Sequence, residues 1–221
     1  DYELGWKYNA EKFFFNSNLY YMGYKNQLVL TGALDDVGSP IRENSGKSYR
    51  TGIELESVYK ATNKLNISAN ISLSENKNVD YKTNYNGVIT DWGDTDISFS
   101  PNVISSAGIQ FSASQDLTFT LLNKFVGNQY MSNTESNISK LSSYSTTDLN
   151  ILYTIKNSAY FSEIIVTAMI NNIFNKEYVS NGYYYTYDDT WSDPNSITTI
   201  EGTGYYPQAK RNFLLGLTFK L

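Results

Sequence analysis

Residues Leu65–Ser74 run Leu-Asn-Ile-Ser-Ala-Asn-Ile-Ser-Leu-Ser, and this stretch decides the fold class. Leu65, Ile67, Ala69, Ile71 and Leu73 alternate with Asn66, Ser68, Asn70, Ser72 and Ser74, so one face is wholly apolar and the other wholly polar. A period of two belongs to an extended strand and not to a helix. Lys47 to Lys60 repeats the pattern, setting Tyr49, Ile53, Leu55 and Tyr59 against Arg50, Gly52, Glu54 and Glu56. At the chain end Phe213, Leu215, Leu217, Phe219 and Leu221 alternate with Asn212, Leu214, Gly216, Thr218 and Lys220. Looser alternation places further strands near residues 2–8, 12–30, 102–113, 117–130, 144–155 and 164–174, about nine in all. Each is long beside the ~5–6 residues usual in a soluble sheet. Ten residues at ~3.4 Å each, tilted ~45°, rise about 24 Å, the height of the apolar band of a membrane barrel.

The connections carry a second signal. Residues 9–11, 61–64, 114–116 and 156–163 are short links, and between them lie longer stretches at 31–46, 76–101, 131–143 and 175–206. Short and long alternate along the chain, as they do where a barrel keeps tight turns on its inner side and long loops outside. That alternation runs the last strand from outside inward and sets Leu221 at the inner rim. A chain opening in mid-strand at Asp1 is expected of a fragment or a processed piece.

Composition narrows the function. The 221 residues contain no Cys and no His, which removes disulfides, thiolate metal sites and the commonest general base and metal ligand. A net charge of −5 gives no basic footprint for nucleic acid. Twenty Tyr and eleven Phe suit barrel walls and membrane interfaces. No run of about 18 apolar residues exists, which leaves a closed barrel as the membrane-spanning option. A secreted carbohydrate-binding β-sandwich shares the alternation and is the rival architecture.

Several phrases resemble the C-terminal barrel of TonB-dependent receptors. Tyr2-Glu3-Leu4-Gly5-Trp6-Lys7-Tyr8, Tyr49-Arg50-Thr51-Gly52-Ile53-Glu54-Leu55-Glu56 and Phe125-Val126-Gly127-Asn128-Gln129-Tyr130 look like strands of that family. Asn171-Asn172-Ile173-Phe174-Asn175-Lys176-Glu177-Tyr178 is similar to its Asn-Asn-Leu-Phe-Asp/Asn-x-x-Tyr segment. Pro207 and Lys210-Arg211-Asn212-Phe213 resemble its closing Pro-x-x-x-Arg-x-Phe, although the final residue is Leu221 where the family commonly has Phe. The implied fold is all-β: a transmembrane antiparallel β-barrel, of which residues 1–221 supply roughly the last nine strands of a plugged barrel of about 22. The implied function is non-enzymatic: an outer-membrane receptor of a Gram-negative bacterium that imports a scarce nutrient, an iron-siderophore complex or similar, with TonB-supplied energy. An oligosaccharide importer of the same architecture is the alternative. Implied partners are outer-membrane lipid, the plug and missing strands, the TonB complex acting through the plug, and a small-molecule nutrient, with no cofactor.

Within that frame residues take roles. Trp6, Tyr8, Phe13, Tyr59 and Phe219 suit an outward aromatic girdle. Glu54, Glu56, Lys124, Asp148 and Lys220 face inward, where charge is tolerated. Asn171 and Asn172 end a strand and bond an abrupt turn. Tyr81, Tyr85 and Trp92 in one long loop, and Tyr183, Tyr184, Tyr185, Tyr187 and Trp191 in another, offer flat faces to a ligand. Asp91, Asp94 and Asp96 lie beside the first group, and Asp188, Asp189 and Asp193 beside the second. The latter three are candidate Ca²⁺ ligands, although their spacing matches no EF-hand.

Overall fold

The computed structural model describes the whole chain except residues 36, 86–87, 157–159 and 194–195, together with the side chain of Tyr85. Nine strands follow one another in a continuous antiparallel path. They are β1 (Tyr2–Asn9), β2 (Phe13–Lys25), β5 (Lys47–Lys60), β6 (Leu65–Tyr85), β8 (Val103–Ser112), β9 (Leu117–Val126), β12 (Tyr144–Lys156), β13 (Glu163–Asn171) and β16 (Asn212–Lys220). Seven further strands lie off that path: β3 (Leu28–Leu34), β4 (Pro40–Asn44), β7 (Val88–Asp96), β10 (Gln129–Tyr130), β11 (Lys140–Leu141), β14 (Val179–Asp189) and β15 (Thr198–Pro207).

The wall is a single layer. No second sheet packs face to face on it among the described residues, so the sandwich expectation fails. Register carries the alternation across the sheet. The pairs Asn18↔Glu54, Glu54↔Ser72, Ser72↔Ile104 and Tyr144↔Val126 run along one face. The pairs Leu19↔Ile53, Ile53↔Leu73, Leu73↔Val103 and Ile170↔Phe213 run along the other. Among the described residues of this second face Glu75, opposite Thr51 and one rung inside Tyr49, is the single charged side chain between the strand-end aromatics. Leu19, Ile109 and Leu73 on interior strands are exposed at 50%, 45% and 41%. Apolar surface on that scale needs an apolar solvent.

Aromatic side chains mark both margins of the apolar face. At the short-turn end Trp6 packs on Tyr8 and Phe15, and Tyr8 on Phe13, at centroid distances of 6.1, 5.6 and 6.3 Å. At the other end Tyr21 stacks on Tyr49 at 6.2 Å. From Tyr49 to Tyr59 along β5 the rise is ~24 Å at a tilt of ~45°, which spans the hydrocarbon band between two girdles. The polar face holds its charges in pairs, Lys220–Glu163 and Lys156–Asp116 at 2.6 Å each. Glu54, Glu56 and Lys124 stay exposed there.

The links also alternate as expected. Residues 10–12, 61–64 and 113–116 turn tightly, the last with Ser114 Oγ accepting from Asp116 N and Leu117 N at 3.2 and 3.1 Å. The link at 157–162 falls partly outside the described residues. Four excursions occupy the opposite end: residues 26–46, 74–102, 127–143 and 172–211. Here the sequence expectation needs correction, because these stretches contain strands. β3 and β4 pair with each other, β7 folds back on an extended β6, and β14 pairs with β15. The strand expected over 12–30 also breaks at Asn26, whose φ of 57° turns the chain out of the wall.

Asn171 and Asn172 do end a strand and bond a turn. Asn172 is buried at φ 51°; its Oδ1 accepts from Lys176 N at 2.9 Å and its Nδ2 donates to Lys176 O at 2.8 Å. Its own N–H donates to Asp148 Oδ1 at 2.7 Å, and Asn171 Nδ2 donates to Asn212 Oδ1 at 2.9 Å. Asn tolerates this backbone region and supplies both donor and acceptor, which explains the residue type.

Two substitutions test the assignment of faces. Leu55→Lys in the full-length protein should destabilise the barrel in lipid vesicles by about 2–4 kcal/mol. Ser72→Lys, beside Glu54 on the polar face, should change stability by less than about 1 kcal/mol. Denaturant titration measures both, and equal losses would reverse or erase the two faces.

Candidate functional site

The buried core of this chain lies among its excursions and not against the wall. The largest fully buried side chains are Tyr81, Asn78, Asn133 and Ser139, and every one belongs to an excursion. Asn133 binds three of the four together. Its Oδ1 accepts from Asn78 Nδ2 at 3.3 Å and from Ser98 N at 3.0 Å, while its Nδ2 donates to Leu30 O at 3.1 Å. An ion group reinforces the contact between the second and third excursions: Lys77 Nζ lies 2.7 Å from Asp96 and 3.5 Å from Glu135.

A bulge explains how Tyr81 enters this core. The β6–β7 register shifts between Asn78 and Tyr81, where Asp80 sits at φ 49° and its N–H donates to Asp94 Oδ1 at 2.9 Å. The extra residue changes the phase of alternation, so Asn78 and Tyr81 both turn inward. Tyr81 Oη donates to Glu43 Oε1 at 3.3 Å. Burial, and then the Glu43 carboxylate, push the Tyr81 phenol above its ordinary range, so it stays a protonated donor. Fully enclosed, Tyr81 has no surface left for a ligand.

The other aromatics separate by position. Trp92 is 43% exposed, with Nε1 donating to Thr83 Oγ1 at 3.0 Å. Tyr85 pairs through its backbone with Val88, and its side chain lies outside the described residues. In the fourth excursion β14 divides its tyrosines between two faces. Tyr184 turns toward the loop core: its Oη donates to Glu201 Oε1 at 2.6 Å, and its ring lies against Gly32, whose φ is +90°. Burial and the Glu201 carboxylate push its phenol upward. Tyr205, on the same face, donates to Ile138 O at 3.1 Å.

Tyr183, Tyr185 and Tyr187 form the opposite, exposed face. Their rings stack in a row at 6.2 and 6.4 Å, and Tyr206 adds a tilted contact to Tyr183 at 6.0 Å. Two glycines make the row flat. Tyr183 pairs with Gly204 and Tyr185 with Gly202, and a Cβ at either glycine would fall 2.2 or 2.3 Å from the tyrosine ring. Each ring therefore lies across its partner strand. Trp191 stands at the tip, 82% exposed.

The aspartates do not converge. Asp188 accepts from Thr199 Oγ1 at 2.8 Å, and Asp189 caps a turn by accepting from Trp191 N and Ser192 N at 2.9 and 3.0 Å. That turn holds the Asp189 carboxyl below its usual range, the Ser192 hydroxyl contributing most. Among the described residues no group of three or more acidic side chains could hold a metal ion, so the Ca²⁺ expectation for Asp188, Asp189 and Asp193 has no geometric support. Asp91 pairs with Lys82 at 2.9 Å across the β6–β7 hairpin.

Two hollows lie beside this assembly. One, about 430 Å³, opens between the excursions, with walls from Leu34 and Pro40, Phe99, Met131, and Tyr183 and Tyr185. The other, about 450 Å³, lies on the polar face of the wall around Arg50, whose Nη1 donates to Asn76 Oδ1 at 3.0 Å and Ser100 Oγ at 2.9 Å. Phe99, Met131, Asn133 and Arg50 escaped the sequence reading. Glycines two apart in Gly202-Thr203-Gly204 were the one available signal, since such a pair in a strand marks a close approach.

A family model described as TonB dependent receptor-like, beta-barrel, matches residues 1–173. No curated protein matches the chain. Among solved structures, the siderophore receptor PiuA from Acinetobacter baumannii superposes with a TM-score of 0.65 at 19% identity, over 97% of this chain and 27% of that one. The copper transporter OprC gives 0.67 at 16% identity, over 98% and 30%. The ferric yersiniabactin uptake receptor FyuA from Yersinia pestis gives 0.62 at 16%, over 97% and 28%. At these identities the likeness is one of fold, and the chain spans less than a third of each.

The loop core yields its own test. Asn133→Ala should strip partners from Leu30 O and Ser98 N, at ~1–3 kcal/mol for each buried group left unpaired. Hydrogen exchange on the full-length receptor should quicken across the excursions and leave the wall strands unchanged. Unaltered exchange in the excursions would remove Asn133 from its binding role.

Proposed function

We propose, on the premise that this chain belongs to the TonB-dependent receptor β-barrel family, that it is the C-terminal part of an outer-membrane receptor importing a scarce nutrient. The observation that carries this is the pairing of an apolar wall face, charged only at its loop-side margin, with a polar opposite face, capped at one end by an interlocked loop assembly. The first face suits the lipid of a Gram-negative outer membrane, and the second suits a plug-filled lumen. Glu54, Glu56 and Lys124 stand exposed on the lumen side, where charged groups of a plug would pair with them. Energy would come from a TonB complex acting through that plug. Both wall edges, β1 and β16, have one neighbour each, and the remaining strands of the receptor would close them.

The ligand belongs to the class of iron-siderophore complexes or similar chelates, with Tyr183, Tyr185, Tyr187, Trp191 and Trp92 on the outer surface as capture residues and Tyr184 behind them holding the loop core. Relatives of like fold include receptors for siderophores and for ferric yersiniabactin, which supports that class. The exposed tyrosine row favours a second reading, import of an oligosaccharide, because sugars stack their apolar faces on such rings.

A strain carrying this receptor as its sole uptake route separates the two. Growth rescued by ferric siderophores under iron limitation supports the first reading; growth only on a limiting glycan supports the second. Removing residues 183–191 should lower uptake at least about tenfold, while surface receptor, measured by antibody, stays constant. Undiminished uptake would dissociate the fourth excursion from capture.

A further inference from the structure

The hollow between the excursions has a composition that specifies what it accepts. Its walls come from every excursion: Leu34 and Pro40 from the first, Phe99 from the second, Met131 from the third, and Tyr183 and Tyr185 from the fourth. No charged side chain occurs among its described lining residues. Its polar groups are few. Ser132 is already bonded to Ser139 at 2.8 Å, and Tyr184 Oη is engaged with Glu201 at 2.6 Å. The remaining surface is aromatic, aliphatic and thioether. At about 430 Å³ it falls within the ~300–1,000 Å³ usual for small-molecule sites.

Outside the hollow acidic side chains outnumber basic ones, with Lys77 and Lys82 paired to Asp96 and Asp91 in the same excursions. Glu43, Asp91, Asp94, Asp188, Asp189 and Glu201 are acidic groups of the same excursions. A ligand anion approaching this end meets a net excess of like charge. Inside, it would find no cation and would lose its hydration without replacement.

We infer that this hollow is a subsite for an uncharged, flat, apolar moiety of the imported ligand, an aromatic ring or ring pair, and that it rejects carboxylates. The inference rests on the receptor reading and adds to it the chemistry of one part of the ligand. Phe99 and Tyr184 supply ring faces and edges, and Met131 supplies a polarizable thioether that favours aromatic contacts. The walls are held by the hydrogen bonds of Asn133 and by the Tyr184–Gly32 contact, so the space is preformed.

The probe is a matched pair, 1-naphthol and 1-naphthoate, added at pH 7 to the full-length receptor in detergent and followed by saturation-transfer NMR. Naphthol should bind, and naphthoate should bind more than about tenfold more weakly. Leu34→Trp, which fills the hollow from a half-buried position, should abolish naphthol binding, and Leu34→Asp should weaken it strongly. Tyr160→Ala, exposed at the short-turn end of the wall and remote from the excursions, should leave it unchanged. Retained heat-modifiable gel migration shows that each variant is folded. Equal binding of the two probes, or naphthol binding indifferent to both Leu34 variants, would overturn the inference. Nutrient uptake measured on the same receptor keeps the failures distinct. Normal uptake with no naphthol site defeats the subsite alone; absent uptake of any nutrient defeats the receptor reading.

Discussion

Hydrocarbon cannot hydrogen-bond a peptide group, and the rest of this structure depends on that constraint. Within the wall each strand satisfies its backbone through its neighbours, in unbroken register from β1 to β16. The same solvent confines charge to the margin of one face and permits it across the other. The period-two pattern of Leu65–Ser74 is thus the chemical boundary between lipid and lumen written along a single strand. It also explains why the wall lacks a core of its own: the partner of its apolar face is the membrane.

Water imposes the opposite demand on the four excursions. They cannot rely on lipid and must build a core from what they carry, which is tyrosine, asparagine and serine more than leucine. Asn78, Asn133, Ser139 and Tyr81 form that core through side-chain hydrogen bonds. A polar core of this kind stabilises only when its members are satisfied, so position matters more than composition. Asn133 reaches three excursions at once and thereby couples segments more than 100 residues apart.

The surface that could meet a ligand is what remains after this core is made. Tyr184 and Tyr81 are consumed by packing, whereas Tyr183, Tyr185 and Tyr187 are displayed, each of the first two lying over a glycine of the facing strand. Flatness and exposure come from the hairpin and not from tyrosine content. The acidic groups of the excursions follow the same logic: Asp189 caps a turn, Asp188 bonds Thr199 and Asp91 neutralises Lys82, so none is held in a cation-binding array.

Strand identity, the two wall faces, the girdles and the alternation of short and long links were legible in the sequence, because each is set by residues two apart in one strand and by the solvent they meet. The turn at Asn172 was legible for a similar reason: a short-range side chain to backbone bond decides it. The interior of the long stretches was not. A bulge at Asp80 resets alternation before Tyr81, an αL residue at Asn26 ejects β3 from the wall, and β14 pairs with a strand about twenty residues away. The sequence by itself determined a lipid-facing sheet and where its loops emerge. Only the tertiary structure decided which tyrosines are buried and which displayed, because that depends on contacts among four excursions, and no local period encodes a contact across a hundred residues.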